Sequence, residues 1–127
     1  MTDDAFEAGL AQRHAMFGTA GGQEQLDAAT DFTRPLQEWV TKQCFGEAWQ
    51  RPVLDARMRS MLTLAMLVAE GRSQQVKIHT RGAIANGVTK EEIRELLMHS
   101  IIYCGVPKAV DGFRSASEAL TELGLEA

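Results

Sequence analysis

The chain has 127 residues, 45% of them hydrophobic and 24% charged, with a formal net charge of −4. That length suits one domain, able to bury a core without metal or disulfide staples. The acidic balance argues against general nucleic-acid binding, which needs a basic stripe, but leaves room for a small anion gripped by a few arginines.

The apolar spacing is helical almost throughout. Asp4 to Phe17 reads as a first helix, with Phe6, Leu10 and Phe17 roughly aligned. Gly18 to Gly22 is a break, and Gln23 to Asp31 has room for a short helix. Phe32, Leu36, Trp39, Val40 and Cys44 mark an amphipathic helix that tolerates Pro35 in its first turn. Phe45 to Pro52 is an irregular connection carrying a carboxylate, an indole and a guanidinium close together. Asp55 can cap the next helix, to Glu70, which Gly71 ends. Its second half is apolar all round, so a central buried helix is expected. Ser73 is expected to cap a shorter helix that stops at Gly87, with Val76, His79 and Ala83 on one face. Thr89 and Glu92 form a capping-box pattern. Ile93, Leu96, Leu97, Ile101 and Cys104 make the stripe behind it, and Gly105 and Pro107 end that helix. A last helix is expected to turn Val110, Phe113, Ser117 and Leu120 inward. No convincing strand appears, so the predicted class is all-α, about six to seven helices in a single domain over residues 1–127.

Cys44 and Cys104 lie far apart with no Cys-x-x-Cys, which is neither a disulfide framework nor a zinc signature. The N-terminus lacks an apolar signal-peptide core. The longest apolar run, Met61 to Ala69, is too short to span a bilayer. A cytoplasmic chain with no membrane partner is the expectation. Helices apolar on more than one face, with Met58, Met61, Met66 and Met98 as adaptable surface, point to a homo-oligomer.

His79 is the first candidate for chemistry, because imidazole changes protonation near neutral pH. A histidine on an apolar helix face is, however, more often structural. Glu47, Trp49 and Arg51 are candidates by proximity, although a loop glutamate is ordinarily solvated and Arg51 could merely cap a helix end. Arg57 and Arg59 are two apart on a helix and point different ways. Tyr103 and Cys104 read as packing, His99 as the partner of Glu95, and His14 as surface or interface. No pair of histidines has metal-ligand spacing, so no metal is expected.

Four stretches carry a resemblance. They are Trp49-x-Arg51-Pro52-x-Leu54, Arg59 through Ala69, His79 through Ile93, and Tyr103-Cys104-Gly105-Val106-Pro107-x-Ala109. In this order the chain closely resembles the gamma-carboxymuconolactone decarboxylases, from about Gly9 to Leu120. The resemblance implies an alkyl hydroperoxidase D-like all-helical subunit, a trimeric or hexameric homo-oligomer, no cofactor, and a role in aromatic degradation by the protocatechuate branch of the beta-ketoadipate pathway. Thiol-active relatives in that superfamily carry Glu-x11-Cys-x2-Cys-x3-His. With the histidine placed on His79, Ser60, Arg72 and Gln75 occupy the other three positions. A relay without a thiolate has no nucleophile, so thiol peroxidase activity is not expected. The chain departs from the decarboxylase pattern at Cys44-Phe45, Gln75 and His14.

The implied reaction is loss of carbon dioxide from a dianionic lactone, for which the protein must orient two carboxylates, stabilise charge on an oxygen and deliver a proton to carbon. His79 is expected to donate the proton or the oxyanion hydrogen bond, with Glu47 as its acid–base partner or orienter. Arg51 and Arg57 or Arg59 are expected to grip carboxylates, since guanidinium matches a carboxylate bidentately. Trp49 and Tyr103 would shape the wall. The alternatives are a sister enzyme acting on another small anionic ring and a catalytically silent oligomeric binding protein.

Overall fold

The computed structural model describes residues 3–127. Among them are seven α-helices and no strand, so the all-α class holds. The chain divides into two compact units, one ending at Asp55 and the other spanning Ala56–Ala127.

The first unit holds α1 (Asp4–Phe17), a 3-10 turn (Thr19–Gly21), α2 (Gln23–Asp27), α3 (Arg34–Trp39), a π-helix (Val40–Phe45) and a second 3-10 turn (Ala48–Gln50). The Asp3 side chain starts α1 by accepting from the Phe6 amide at 3.2 Å. Against expectation, α1 buries Gly9, Arg13 and Met16, while Phe6, Leu10 and Phe17 are only half-buried. Close approach explains the difference. A Cβ on Gly9 would stand 1.7 Å from the Thr41 carbonyl oxygen, and one on Gly46 would stand 1.9 Å from that of Ala5. The backbone of α1 thus lies directly on the π-helix and the residue after it.

The expected helix from Phe32 to Cys44 is a short α-helix running straight into the π-helix. Its apolar stripe does not face the unit's interior. Phe32, Leu36 and Trp39 are 93%, 61% and 62% exposed, and the buried residues are Thr41 and Phe45. The inward line runs instead through Gln37, Thr41 and Phe45, at spacings of four. Past the second 3-10 turn, Val53 has φ of 84° and is 97% exposed. A β-branched residue is strained there, and no burial compensates. Val53→Gly is expected to raise stability by roughly 1 kcal/mol after glycine's own entropic cost. Thermal denaturation checks this, and a lowered midpoint would show that the valine serves some other purpose.

The second unit comprises α4 (Ala56–Glu70), α5 (Ser73–Ala85), α6 (Lys90–Cys104) and α7 (Val106–Glu122). Leu64, Val68, Val76, Ala83, Val88, Ile93, Leu97 and Ala116 form its core. Three expectations need correction. Ser73 is the first residue of α5 and Arg72 its cap, with no side-chain capping bond. α4 buries one face only, Ser60, Leu64 and Val68, with Met66 62% exposed. On α7 Val110 is 47% exposed, whereas Leu120 lies inward and Phe113 packs against the core as expected, joined on the inward face by Ala109, Gly112, Ala116 and Ala119. Small residues do this because α7 sits close: a Cβ on Gly112 would meet Leu97 Cδ2 at 2.8 Å.

The capping box is present as expected. Thr89 Oγ1 accepts from the Glu92 amide at 3.1 Å, and Glu92 Oε1 accepts from the Thr89 amide at 3.0 Å. Gly105, at φ of 92°, ends α6 and lets Val106 and Pro107 begin α7.

Candidate active-site residues

In the second unit His79 lies on α5, three residues after Val76 and four before Ala83, both fully buried. The helix face that seals the core thus carries the imidazole at its margin, where it is half-buried. Burial pushes its pKa down to about 4, because imidazolium loses hydration that neutral imidazole hardly needs. Nδ1 is shut off from solvent and makes no hydrogen bond, although the residue takes part in a further interaction. At neutral pH His79 is therefore an uncharged imidazole that presents an N–H or a lone pair.

The low pKa has a consequence for stability. Unfolded, His79 binds its proton near pH 6.5; folded, it does so only near 4. Between these values the unfolded chain carries the extra proton, so acidification favours unfolding. The contribution of this residue to stability is intact above pH 6.5, is lost as pH falls, and bottoms out below about 4, a change of order 3 kcal/mol. His79→Gln is expected to flatten the denaturation midpoint between those pH values relative to the parent chain. Parallel pH profiles would show that His79 is not held neutral.

Arg57 and Arg59 stand in the first turn of α4, which packs on α5. The Arg57 guanidinium forms an ion pair with Glu92 Oε2. The Glu92 carboxylate thus completes the α6 cap with one oxygen and fastens the start of α4 with the other. Arg57 is thus engaged by a carboxylate of its own chain, and Arg59, half-buried in the same turn, also takes part in an interaction. Nearby, Asn86 Nδ2 donates to Ser60 Oγ at 2.9 Å, tying the end of α5 to α4. Tyr103 is 78% exposed and lies against His99, ring centres 5.0 Å apart. His99 therefore has an aromatic neighbour, and Glu95 has a 3.9 Å contact with Arg94 instead.

In the first unit, Glu47, Trp49 and Arg51 share one tight turn. The Glu47 carbonyl accepts from the Gln50 amide at 3.2 Å and the Ala48 carbonyl from the Arg51 amide at 3.3 Å. Glu47 and Arg51 are exposed, while Trp49 is half-buried. The Trp49 indole stacks on Phe45 with centroids 5.6 Å apart, and Phe17 meets Phe45 edge-on at 6.0 Å. Gln50 Nε2 donates back to the Phe45 carbonyl at 3.0 Å. The turn is thereby pinned to the π-helix while its carboxylate and guanidinium face outward.

A cavity of about 500 Å³ lies elsewhere in this unit. Its lining includes Asp3, Asp27 and Glu38 against Arg34 and Lys42, and Lys42 is already paired with Asp3 at 3.2 Å. An excess of carboxylates makes it a poor receptor for a dianion.

Nothing in the sequence reading anticipated the network around Arg13. This arginine is 6% exposed. Its Nε donates to the Gly21 carbonyl at 2.7 Å, Nη1 to Thr41 Oγ1 at 2.8 Å and Nη2 to Gln37 Oε1 at 3.1 Å. The available signal was its phase: Arg13 falls four after Gly9 and three before Met16, on the buried line of α1. Cys44 is a half-buried free thiol whose pKa burial raises, which suits packing and not nucleophilic attack. No group of three or more histidine, cysteine, aspartate or glutamate side chains among the described residues is arranged to hold a metal ion. No described helix is long and apolar enough to cross a membrane.

An all-helical chain with an uncharged imidazole beside the core of one unit and an acidic–basic turn in the other suits proton and anion chemistry. Residues 34–118 match the carboxymuconolactone decarboxylase family, and the chain belongs to that family. It is a carboxy-lyase by this membership and by its relatives. It is 38% identical over 118 residues to the nitrosuccinic acid decarboxylase npaB of Metarhizium robertsii, covering 93% of this chain and 82% of that protein. It is 32% identical over 123 residues to the 4-carboxymuconolactone decarboxylase of Acinetobacter baylyi, covering 97% and 92%.

Proposed function

We propose that this chain decarboxylates gamma-carboxymuconolactone to beta-ketoadipate enol-lactone without a cofactor, in the breakdown of protocatechuate. The observation that carries this reading is the nearly end-to-end similarity to a 4-carboxymuconolactone decarboxylase. Chemistry supports it. Breaking the bond to the ring carboxylate releases carbon dioxide and leaves an electron pair on the ring carbon. The ring double bond passes that pair to the lactone carbonyl, giving a dienolate. A proton then adds at the carbon alpha to the carbonyl. The substrate supplies its own electron sink.

In this reading His79 serves the oxygen on which charge collects. A neutral imidazole N–H donates a hydrogen bond that strengthens as the dienolate forms. A bound dianion also draws the imidazole toward its charged form, so substrate binding helps to load the proton that carbon later takes. Glu47 is the second acid–base group. Arg51 and Arg59 bind carboxylates, Trp49 and Tyr103 bound the substrate, and Arg57 contributes charge while holding Glu92.

A second reading has its own support in the 38% identity to a nitrosuccinic acid decarboxylase. Nitrosuccinate is also a dianion, and loss of its nitro-bearing carboxylate places charge on the nitro oxygens. One set of residues would serve both. The deciding experiment is a parallel assay of both substrates, with chelator present and no cofactor added. Lactone turnover supports the first reading, and turnover of nitrosuccinate alone replaces it with the second. Tight binding of the lactone with no turnover of either would mean a silent binding protein.

The working form is proposed to be a homo-oligomer, trimeric or hexameric, in the cytoplasm. Met58, Leu62 and Met66 make an exposed line along α4, at spacings of four, and Ile102, Tyr103 and Val106 are exposed at the α6–α7 junction. So much apolar surface calls for a partner. Sedimentation showing only monomer at assay concentrations would remove this part.

A further inference from the structure

We propose that Arg13 is a positioning residue: through Thr41 it holds the π-helix in its wide winding, and so sets where the Glu47–Arg51 turn presents its carboxylate and guanidinium. The inference rests on the functional reading of Glu47 and Arg51 given above.

The network joins three elements through one side chain. Arg13, on α1, donates to the first 3-10 turn at Gly21, to α3 at Gln37 and to the π-helix at Thr41. All three acceptors are neutral. A buried guanidinium without a carboxylate is expensive in desolvation, and apolar residues of similar volume often stabilise a protein as well or better. What a guanidinium adds is a rigid planar fork that fixes several acceptors in one geometry. Thr41 is fully buried at the heart of this geometry. Its hydroxyl receives the Arg13 bond and donates its own hydrogen to the Gln37 carbonyl at 2.7 Å.

That bond lies where the helix changes winding. π-Helices are rare and owe their persistence to tertiary contacts. Val40–Phe45 is held by α1 at two points one turn apart, by Arg13 on the Thr41 hydroxyl and by the bare backbone of Gly9 against the Thr41 carbonyl. Relaxation to α geometry by one residue would rotate the following chain by about 100° and advance it by about 1.5 Å. The first residues to move are Phe45, which carries the Trp49 stack, and Gly46, pressed on the Ala5 carbonyl. Next come Glu47 and Arg51. A misplacement of about 1 Å in a reacting geometry can cost up to a hundredfold in rate.

The test compares Arg13→Lys, Thr41→Val and Thr41→Ser with the parent chain, using whichever of gamma-carboxymuconolactone and nitrosuccinate it turns over. A Trp39→Phe background leaves Trp49 as the one tryptophan and its emission as a report on the turn. Arg13→Lys and Thr41→Val are expected to lose roughly ten- to a hundredfold in kcat/KM, with at least part of the loss in kcat. Trp49 emission should shift in both, and Thr41→Ser, which keeps the hydroxyl, should recover most of the activity. Full activity with unchanged emission in Thr41→Val overturns the proposal. So does equal loss in Thr41→Val and Thr41→Ser, or a loss matched by the unfolded fraction in calorimetry. Glu47→Gln is measured alongside. If it is inactive while Thr41→Val is fully active, only the positioning role falls. If it is fully active, the reading of Glu47 falls, and Trp49 emission still reports whether Arg13 places the turn.

Discussion

His79→Ala is expected to lower turnover at least about a hundredfold while leaving the protein folded. Positioned acid–base groups contribute about two to four orders of magnitude, and the lower end applies to the proposed substrate, which delocalises its own charge. In the proposed lactone reaction the loss should fall mainly on kcat, since a hydrogen bond from His79 to the dienolate oxygen would gain its strength as the reaction proceeds. Folding should survive, because the imidazole stands at the core's margin and Val76 and Ala83 on the same helix remain fully buried. The pH profile adds a second check. A free-enzyme pKa near 4 means that kcat/KM should show no His79-dependent decline as pH falls through the ordinary imidazole range near 6.5. Near-normal turnover by His79→Ala in steady state removes His79 from the chemistry.

Helices were more legible in the sequence than their faces were. Breaks and caps are local, and residues such as Gly71, Gly105 and the Thr89–Glu92 pair announce them within a few positions. Faces depend on what packs opposite. Large apolar residues mark the inward face only where the neighbouring element leaves room for them. The line Gly9–Arg13–Met16 lies inward on α1 because the bare Gly9 lets its backbone touch the π-helix and Arg13 finds acceptors there, and Ala109–Gly112–Ala116–Ala119 lies inward on α7, where Gly112 leaves room for Leu97 and Val68. On α3 the inward line passes through Gln37 to Thr41, polar residues that a hydrophobic pattern passes over, while Leu36 and Trp39 stay exposed. Among the candidate site residues, the Glu47–Trp49–Arg51 turn was legible because its members are neighbours in the chain. The Arg57–Glu92 pair was not, because it joins the starts of two helices distant in sequence. His79 was visible as a histidine in phase with Val76 and Ala83, but its low pKa follows from burial, which sequence spacing does not measure.

Gly9→Ala is expected to destabilise the first unit by about 3 kcal/mol or more and to depress turnover with it. Two effects oppose each other. In an isolated helix, replacing glycine by alanine favours α1 by nearly 1 kcal/mol. In the folded unit, the new methyl would stand 1.7 Å from the Thr41 carbonyl oxygen, 2.7 Å from its carbon and 2.8 Å from the Gly46 nitrogen. All three are backbone atoms, so no side chain can swing aside. Either α1 lifts or the π-helix deforms, and both strain the Arg13–Thr41 bond and the path to Glu47. The clash wins because overpacking of even ordinary side chains costs about 1–3 kcal/mol. Ala11→Gly, at an exposed position of the same helix, should cost about 1 kcal/mol by propensity alone and leave Trp49 emission and turnover nearly unchanged. Denaturation curves and Trp49 emission of the two variants separate helix propensity from the backbone contact. A Gly9→Ala chain more stable than the parent, with unshifted emission, would mean that α1 does not rest on the π-helix as described.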